Sequence, residues 1–183
     1  MHILKINNRE EFRDWLIANS LTRKDCWVIC PRTKPDGTTF TYIDAVEEAL
    51  CFGWIDSVLK VVDGVAYQRF SPRKKNSPWT ELNKERARRL IKLGLMTSRG
   101  KKVMPKMRYK EDEKIAKALK EARVYSKFKS FPPLYQRVRM YNVAFYRGKN
   151  KQDYEAALLH LIEKTKKGEM YGEWNDYGRL IDY

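Results

Sequence analysis

Cysteine and histidine are scarce in this chain of 183 residues: the thiols are Cys26, Cys30 and Cys51, and the imidazoles are His2 and His160. Cys26-Trp27-Val28-Ile29-Cys30 has C-x3-C spacing, not the C-x2-C of redox and zinc sites. In a strand its sulfurs would lie about 13 Å apart on one face, too far to share a metal or a disulfide. An odd, sparse set of thiols fits a reducing compartment and a packing role. With two distant histidines, neither a zinc site nor a histidine-based catalytic triad is expected. Long apolar runs are also missing, so no membrane span is expected. The opening Met1-His2-Ile3-Leu4-Lys5-Ile6-Asn7-Asn8 is too short and turns polar too soon for a signal peptide, and a cytoplasmic location is expected. No internal repeat and no low-complexity tract is present.

What the chain does have is apolar material and positive charge. It is 43% hydrophobic and 13% aromatic, enough for a buried core. Its 38 Lys and Arg against 23 Asp and Glu leave a net charge of +15. The excess is local. Residues 69–110 hold fifteen Lys or Arg and only Glu81 and Glu85, a net +13, whereas the rest of the chain carries +2. A concentrated excess of this kind suggests an anionic ligand, nucleic acid bound without sequence specificity, or an acidic protein partner. The alternative is a well-solvated helix face.

Periodicity and turn chemistry predict the elements. Ile3–Ile6 reads as a short edge strand. Asn8 followed by Glu11 opens a helix with Phe12, Trp15 and Leu16 on its inner face. Residues 27–30 read as a buried strand. Thr41 with Asp44 opens a second helix, on which Glu47 and Glu48 are expected to face solvent, and Gly53 closes it. Asp63-Gly64 between two β-rich runs predicts a hairpin over 57–70 with a type I′ turn. Its register would oppose Val62 to Val65, Lys60 to Tyr67 and Val58 to Arg69, making Asp56 and Arg69 diagonal neighbours on one face. Ser77 or Thr80 starts a helix to about Leu93. Further helices follow over about 111–122, 134–147 and 151–167, the last two as a helical hairpin. The expected fold class is α+β: a small antiparallel sheet with a β-hairpin surrounded by helices, followed by a helical C-terminal module. The expected division is a core domain of residues 1–125 and a helical module of 126–183.

One stretch, Ala45-Val46-Glu47-Glu48-Ala49-Leu50-Cys51-Phe52-Gly53-Trp54-Ile55-Asp56-Ser57, resembles the YdeI/OmpD-associated, bacteriocin-protection-like proteins. Trp27-Val28-Ile29, the block from Phe70 through Ser71-Pro72-Arg73-Lys74-Lys75-Asn76-Ser77-Pro78 to Trp79, then Leu82-Asn83, Arg89-Leu90-Ile91 and Gly94-Leu95-Met96-Thr97 are similar too. The helix pair from Phe128 resembles the family's small helical module. It departs where that family usually carries a basic stretch with Thr-Arg; here stand Tyr146-Arg147-Gly148-Lys149-Asn150-Lys151-Gln152-Asp153. The resemblance implies a bacterial protein linked to stress and to protection against antimicrobial peptides. It implies no established enzyme activity and no catalytic residues.

The family-like blocks and the basic cluster converge on the hairpin and the loop after it. Trp54, Asp56, Lys60, Tyr67, Arg69, Arg73, Lys74, Lys75, Asn76 and Trp79 are the candidate ligand-binding residues. Guanidinium and ammonium groups there would meet an anion, with an aromatic ring to stack on a base or organic ring. The expected function is non-catalytic binding of an anionic or phosphate-containing partner. The alternative is an enzyme acting on a small phosphorylated or carboxylated substrate near Trp54, Asp56 and Arg69. No Gly-rich phosphate loop is present to name a cofactor, so none is expected. No metal ligands are assigned.

Overall fold

The computed structural model describes all residues, Met1–Tyr183. The chain forms two compact units. The first takes Met1–Pro78, Arg86–Lys106 and Tyr183; the second takes Trp79–Glu85 and Met107–Asp182. The boundary thus falls at 106/107 rather than at 125/126. The reason is packing: Ile115, Ala116 and Leu119 share one core with Phe128, Tyr135 and Leu161, so they cannot belong to a separate body.

The first unit contains β1 (Ile3–Leu4), α1 (Arg9–Asn19), β2 (Cys26–Val28), α2 (Tyr42–Cys51), the hairpin strands β3 (Trp54–Val62) and β4 (Val65–Pro72), most of α3 (Glu81–Lys92) and the short α4 (Ser98–Lys102). The architecture is α+β, with a four-stranded sheet in the order β1-β2-β4-β3. β1 runs parallel to β2 and the other pairs are antiparallel, so the sheet is mixed. The predicted starts are built as capped ends: the Asn8 side chain accepts from the N–H of Glu11 at 2.9 Å, and Thr41 with Asp44 forms a reciprocal capping box. Asp63 and Gly64 both take positive φ, 50° and 77°, as a type I′ turn requires.

One face of the sheet is covered by aromatic packing. Phe12 lies 5.6 Å from Phe70 between ring centroids, and Trp15 meets Trp54 edge-on at 5.8 Å. α2 is buried along nearly its whole length, and that includes three carboxylates. Glu47 and Glu48 are 0% and 3% exposed, which corrects the expectation that they face solvent. Arginines on neighbouring helices explain it. Arg9 donates from Nη1 to Glu47 at 2.8 Å and to Asp44 at 3.3 Å, and from Nε and Nη2 to Glu48 at 3.0 and 2.7 Å. Arg13 donates to the other oxygen of Glu48 at 2.8 Å, and Arg89 on α3 to the other oxygen of Glu47 at 2.8 Å. Burial pulls the Arg9 guanidinium down, but Glu47 and Glu48 outweigh it and hold it above its usual range.

The second unit consists of α5 (Glu113–Glu121), α6 (Tyr125–Lys129), α7 (Pro133–Arg147), α8 (Lys151–Lys167) and the start of α3. Asp112 caps α5, Asn150 caps α8, and Gly168 ends α8 in the left-handed conformation at φ 76°. Tyr171 and Trp174 of the tail pack edge-on against the buried Tyr135. No helix is long and apolar enough to cross a membrane.

Truncating Glu47 leaves Arg9 and Arg89 short of a buried counter-charge. Glu47→Ala should lower the unfolding free energy by about 3–5 kcal/mol in urea denaturation. Glu155→Ala, which removes an exposed partner of Lys151, should change it by less than about 0.5 kcal/mol. Equal effects of the two would show that the buried cluster is not what anchors α2.

Candidate functional site

The hairpin register decides which of the ten candidate residues meet. Lys60 opposes Tyr67 and Val62 opposes Val65, as the two-residue turn dictates. Between Asp56 and Leu59 the register shifts, so Ser57 and Val58 together face Arg69. Beyond this bulge Asp56 opposes Phe70 and Ile55 opposes Ser71. Directly opposed residues share a face. Asp56 therefore lies on the aromatic, helix-covered face with Phe70, while Arg69 lies on the other face with Trp27 and Ser71. The expected diagonal pairing of Asp56 with Arg69 does not form. The Asp56 carboxylate accepts from the Tyr42 hydroxyl at 2.7 Å, and Arg69 donates through Nε and Nη2 to Asp25 at 3.0 and 2.6 Å.

Where β4 leaves the sheet a cavity of about 380 Å³ opens. Arg69, Arg73 and Lys74 line it together with Ser57, Ser71 and Ser77. Asp56 is also in its wall, with its carboxylate turned to Tyr42. A turn closed by the Ser77 N–H on the Lys74 carbonyl at 3.0 Å shapes the rim and leaves Lys74, Lys75 and Asn76 exposed. Arg73 is buried. Its backbone N–H donates to the Gly53 carbonyl at 2.9 Å and its Nη1 to the Pro78 carbonyl at 2.9 Å, which fixes the loop against the end of α2.

The other candidates separate. Trp54 is 1% exposed, and its indole N–H donates to the Ser20 carbonyl at 3.1 Å, so it is a core residue that a ligand cannot reach. Trp79 is buried and belongs to the second unit, whereas the hairpin belongs to the first. Lys60 and Tyr67 sit further out along the hairpin and do not line the cavity.

Sequence reasoning missed a polar network on the covered face. Arg32 stacks over the Tyr42 ring at 3.8 Å and donates to Gln68 at 3.0 Å, and Gln68 donates to the Val58 carbonyl at 3.2 Å. One signal was legible: Gln68 shares parity with Phe70, and a polar side chain at a buried strand position needs partners. Burial, reinforced by Asp56, pushes the Tyr42 phenol up to about 12, so it stays a neutral donor.

The three thiols are free and buried. Burial, before any charge effect, pushes each of them up to about 12. None is a thiolate at neutral pH, so none is a ready nucleophile.

The mixed sheet, its helical cover and a cleft lined by Arg69, Arg73, Lys74 and three serines define a small α+β domain. A family model described as "Domain of unknown function (DUF8412)" matches residues 4–103, and the chain belongs to that family. The match spans nearly all of the first unit. No curated protein and no solved structure matches the chain.

Native protein at pH 8 should react with almost none of its thiols in a short Ellman assay, and denatured protein with all three. Because each thiol holds its proton more tightly folded than unfolded, the stability it contributes is present below the ordinary value of 9.0 and is lost as pH rises towards about 12. Fast labelling of a native thiol at pH 8 would contradict the burial described.

Proposed function

We propose that the protein binds a phosphate-bearing or otherwise anionic partner, without catalysis, in the cleft where β3 begins and β4 ends. The observation that carries this reading is the composition of one wall: Arg69, Arg73 and Lys74 beside the hydroxyls of Ser57, Ser71 and Ser77. Cations with several short hydroxyl donors complement the oxygens of a phosphate group. Lys74 is exposed and makes no ion pair, so its ammonium is available without breaking a contact. The non-catalytic part is supported by what lies nearby. The carboxylate of Asp56 is engaged by Tyr42, and the thiols are protonated and buried. The enzyme alternative loses Trp54 to the core, and the bulge puts Asp56 and Arg69 on opposite faces.

The resemblance to YdeI/OmpD-associated proteins would give this binding a setting, protection of a stressed bacterium against antimicrobial peptides, acting from the cytoplasm. A chain of net charge +15 repels cationic peptides, so protection through this cleft would be indirect.

The test is a backbone NMR titration of the full chain with inorganic phosphate, adenosine 5′-monophosphate and a mixed oligonucleotide. Shifts should concentrate at Ser57, Ser71, Lys74 and Ser77, disappear in Lys74→Glu, and weaken as salt is raised. No shift with any of the three probes at low salt, or shifts scattered over the basic surface, would overturn the assignment.

A further inference from the structure

The two edges of the sheet are unlike. β1 closes one edge with two residues. β3 closes the other with nine, and only β4 pairs with it. Edge strands are kept from further pairing by shortness, proline, charge or a covering element. Beyond its bulge β3 has none of these except Lys60. Val58, Leu59 and Val61 are 49%, 52% and 63% exposed, and Val65 across the turn is 36% exposed.

Apolar side chains stand on both faces of this edge. Leu59 and Val61 oppose Gln68 and Ala66 on the face that the helices cover further back. Val62 opposes Val65, and Lys60 opposes Tyr67, on the other face. A strand with one solvated face alternates apolar with polar residues, and this one does not. Its backbone is open as well. In a hairpin with a two-residue turn the flanking pair, Val62 and Val65, is hydrogen-bonded and the pattern alternates from there. The N–H and C=O groups of Leu59 and Val61 therefore point away from β4. Charge decides what fits against them. Residues 57–67 hold one cation, Lys60, and one anion, Asp63, and are neutral in a chain of +15. Such a strip gives a charged partner little to read. It suits a neutral, apolar, extended strand, and the molecule contains one in β3 itself.

We propose that β3 pairs antiparallel with β3 of a second copy of the chain, joining two four-stranded sheets across a two-fold axis. An axis normal to the sheet keeps each face on its own side, so every residue meets one of like parity. Centring the pair on Lys60 would oppose two ammonium groups. Centring it on Val61 opposes Val61 to its own copy, Lys60 to Val62 and Leu59 to Asp63, which is the register of lower charge cost. That overlap runs over 58–64 and stops short of Ser57, so it leaves the anion cleft uncovered. A strip this small belongs to the weak class of protein interfaces. The +15 on each copy opposes association, so salt strengthens the pair by screening, opposite in sign to its effect on anion binding.

Sedimentation equilibrium of the full chain tests it, from about 10 μM to about 1 mM protein in about 0.05 and about 0.5 M sodium chloride. A reversible monomer–dimer equilibrium is expected, at least about threefold tighter at the higher salt. Val61→Lys sets two ammonium groups on the axis and should weaken the dimer by about tenfold or more. Leu159→Lys adds the same charge at a similarly exposed apolar position on α8 and should change the affinity by less than about twofold. Val61→Pro removes one outward N–H without breaking the ladder to β4, and should abolish the dimer. If that variant does not fold by circular dichroism, the two lysine variants decide the matter. A chain that stays monomeric at about 1 mM in high salt, association that weakens as salt rises, equal effects of Val61→Lys and Leu159→Lys, or a dimer that persists in folded Val61→Pro would each overturn the proposal.

Discussion

The first unit depends on charges that scarcely reach solvent. α2 is buried on nearly every side while carrying Asp44, Glu47 and Glu48. Each buried carboxylate costs several kcal/mol in lost hydration, so the helix could not occupy this place with apolar contacts alone. Arg9 and Arg13 from α1 and Arg89 from α3 offset that cost. Arginine suits the task because one planar fork can serve several oxygens, and Arg9 reaches all three carboxylates. The bonds are directional, so they fix the rotation of α2 as well as its depth. The rotation in turn points Tyr42 at Asp56 and places Gly53 where its carbonyl receives the N–H of Arg73.

The same cluster changes the meaning of the positive charge. A run of fifteen cations against two acids reads as one basic surface when only neighbours along the chain are counted. In space, Arg69 meets Asp25, Arg89 meets Glu47, and Lys92 reaches the backbone carbonyl of Tyr183. Lys84 meets Glu81, which is close in sequence but belongs with it to the second unit. Arg73 and Arg86 are buried. The run is shared between two units, and of its members that line the first unit's cleft or a cavity within the second unit only Lys74 and Arg108 make no ion pair. A net charge is a statement about long-range attraction, whereas a binding site needs cations whose partners are not already supplied by the fold.

What could be read from the sequence was local. The Asp63-Gly64 turn, the Asn8 and Thr41 caps, the Gly53 helix end and the α7–α8 pair rest on interactions spanning a few residues, and they stand where the spacing puts them. What could not be read depends on distant partners. Glu47 and Glu48 look like ordinary exposed acids until Arg9, nearly forty positions earlier, is brought alongside. α5 looked like the end of the first domain until its Ile115 and Leu119 found Phe128 and Tyr135. Four of the ten candidate site residues, Asp56, Arg69, Arg73 and Lys74, do line one cavity, because the hairpin and the loop after it are contiguous in sequence. The two tryptophans fail for the general reason that large apolar rings gain most from full burial.

The bulge at Ser57 and Val58 is the smallest feature with the largest effect on the first cleft. Without it, alternation would carry Asp56 to the same face as Arg69, one diagonal step away, and the two would form an ion pair. The corner would then be self-neutralised, with no reason to attract an anion. One extra residue in β3 turns the Asp56 carboxylate to Tyr42 across the covered face and leaves Arg69 on the open face. Arg69 finds Asp25 instead, next to the start of β2, at about one-third exposure for both side chains. An ion pair that wet contributes little to stability and is readily exchanged for a ligand oxygen. The cleft wall is therefore left with three serine hydroxyls, a fixed Arg73, an exchangeable Arg69 and an unpaired Lys74. The unneutralised cations of this corner thus follow from a backbone irregularity that separates an acid from a base, more than from the number of basic residues in the segment.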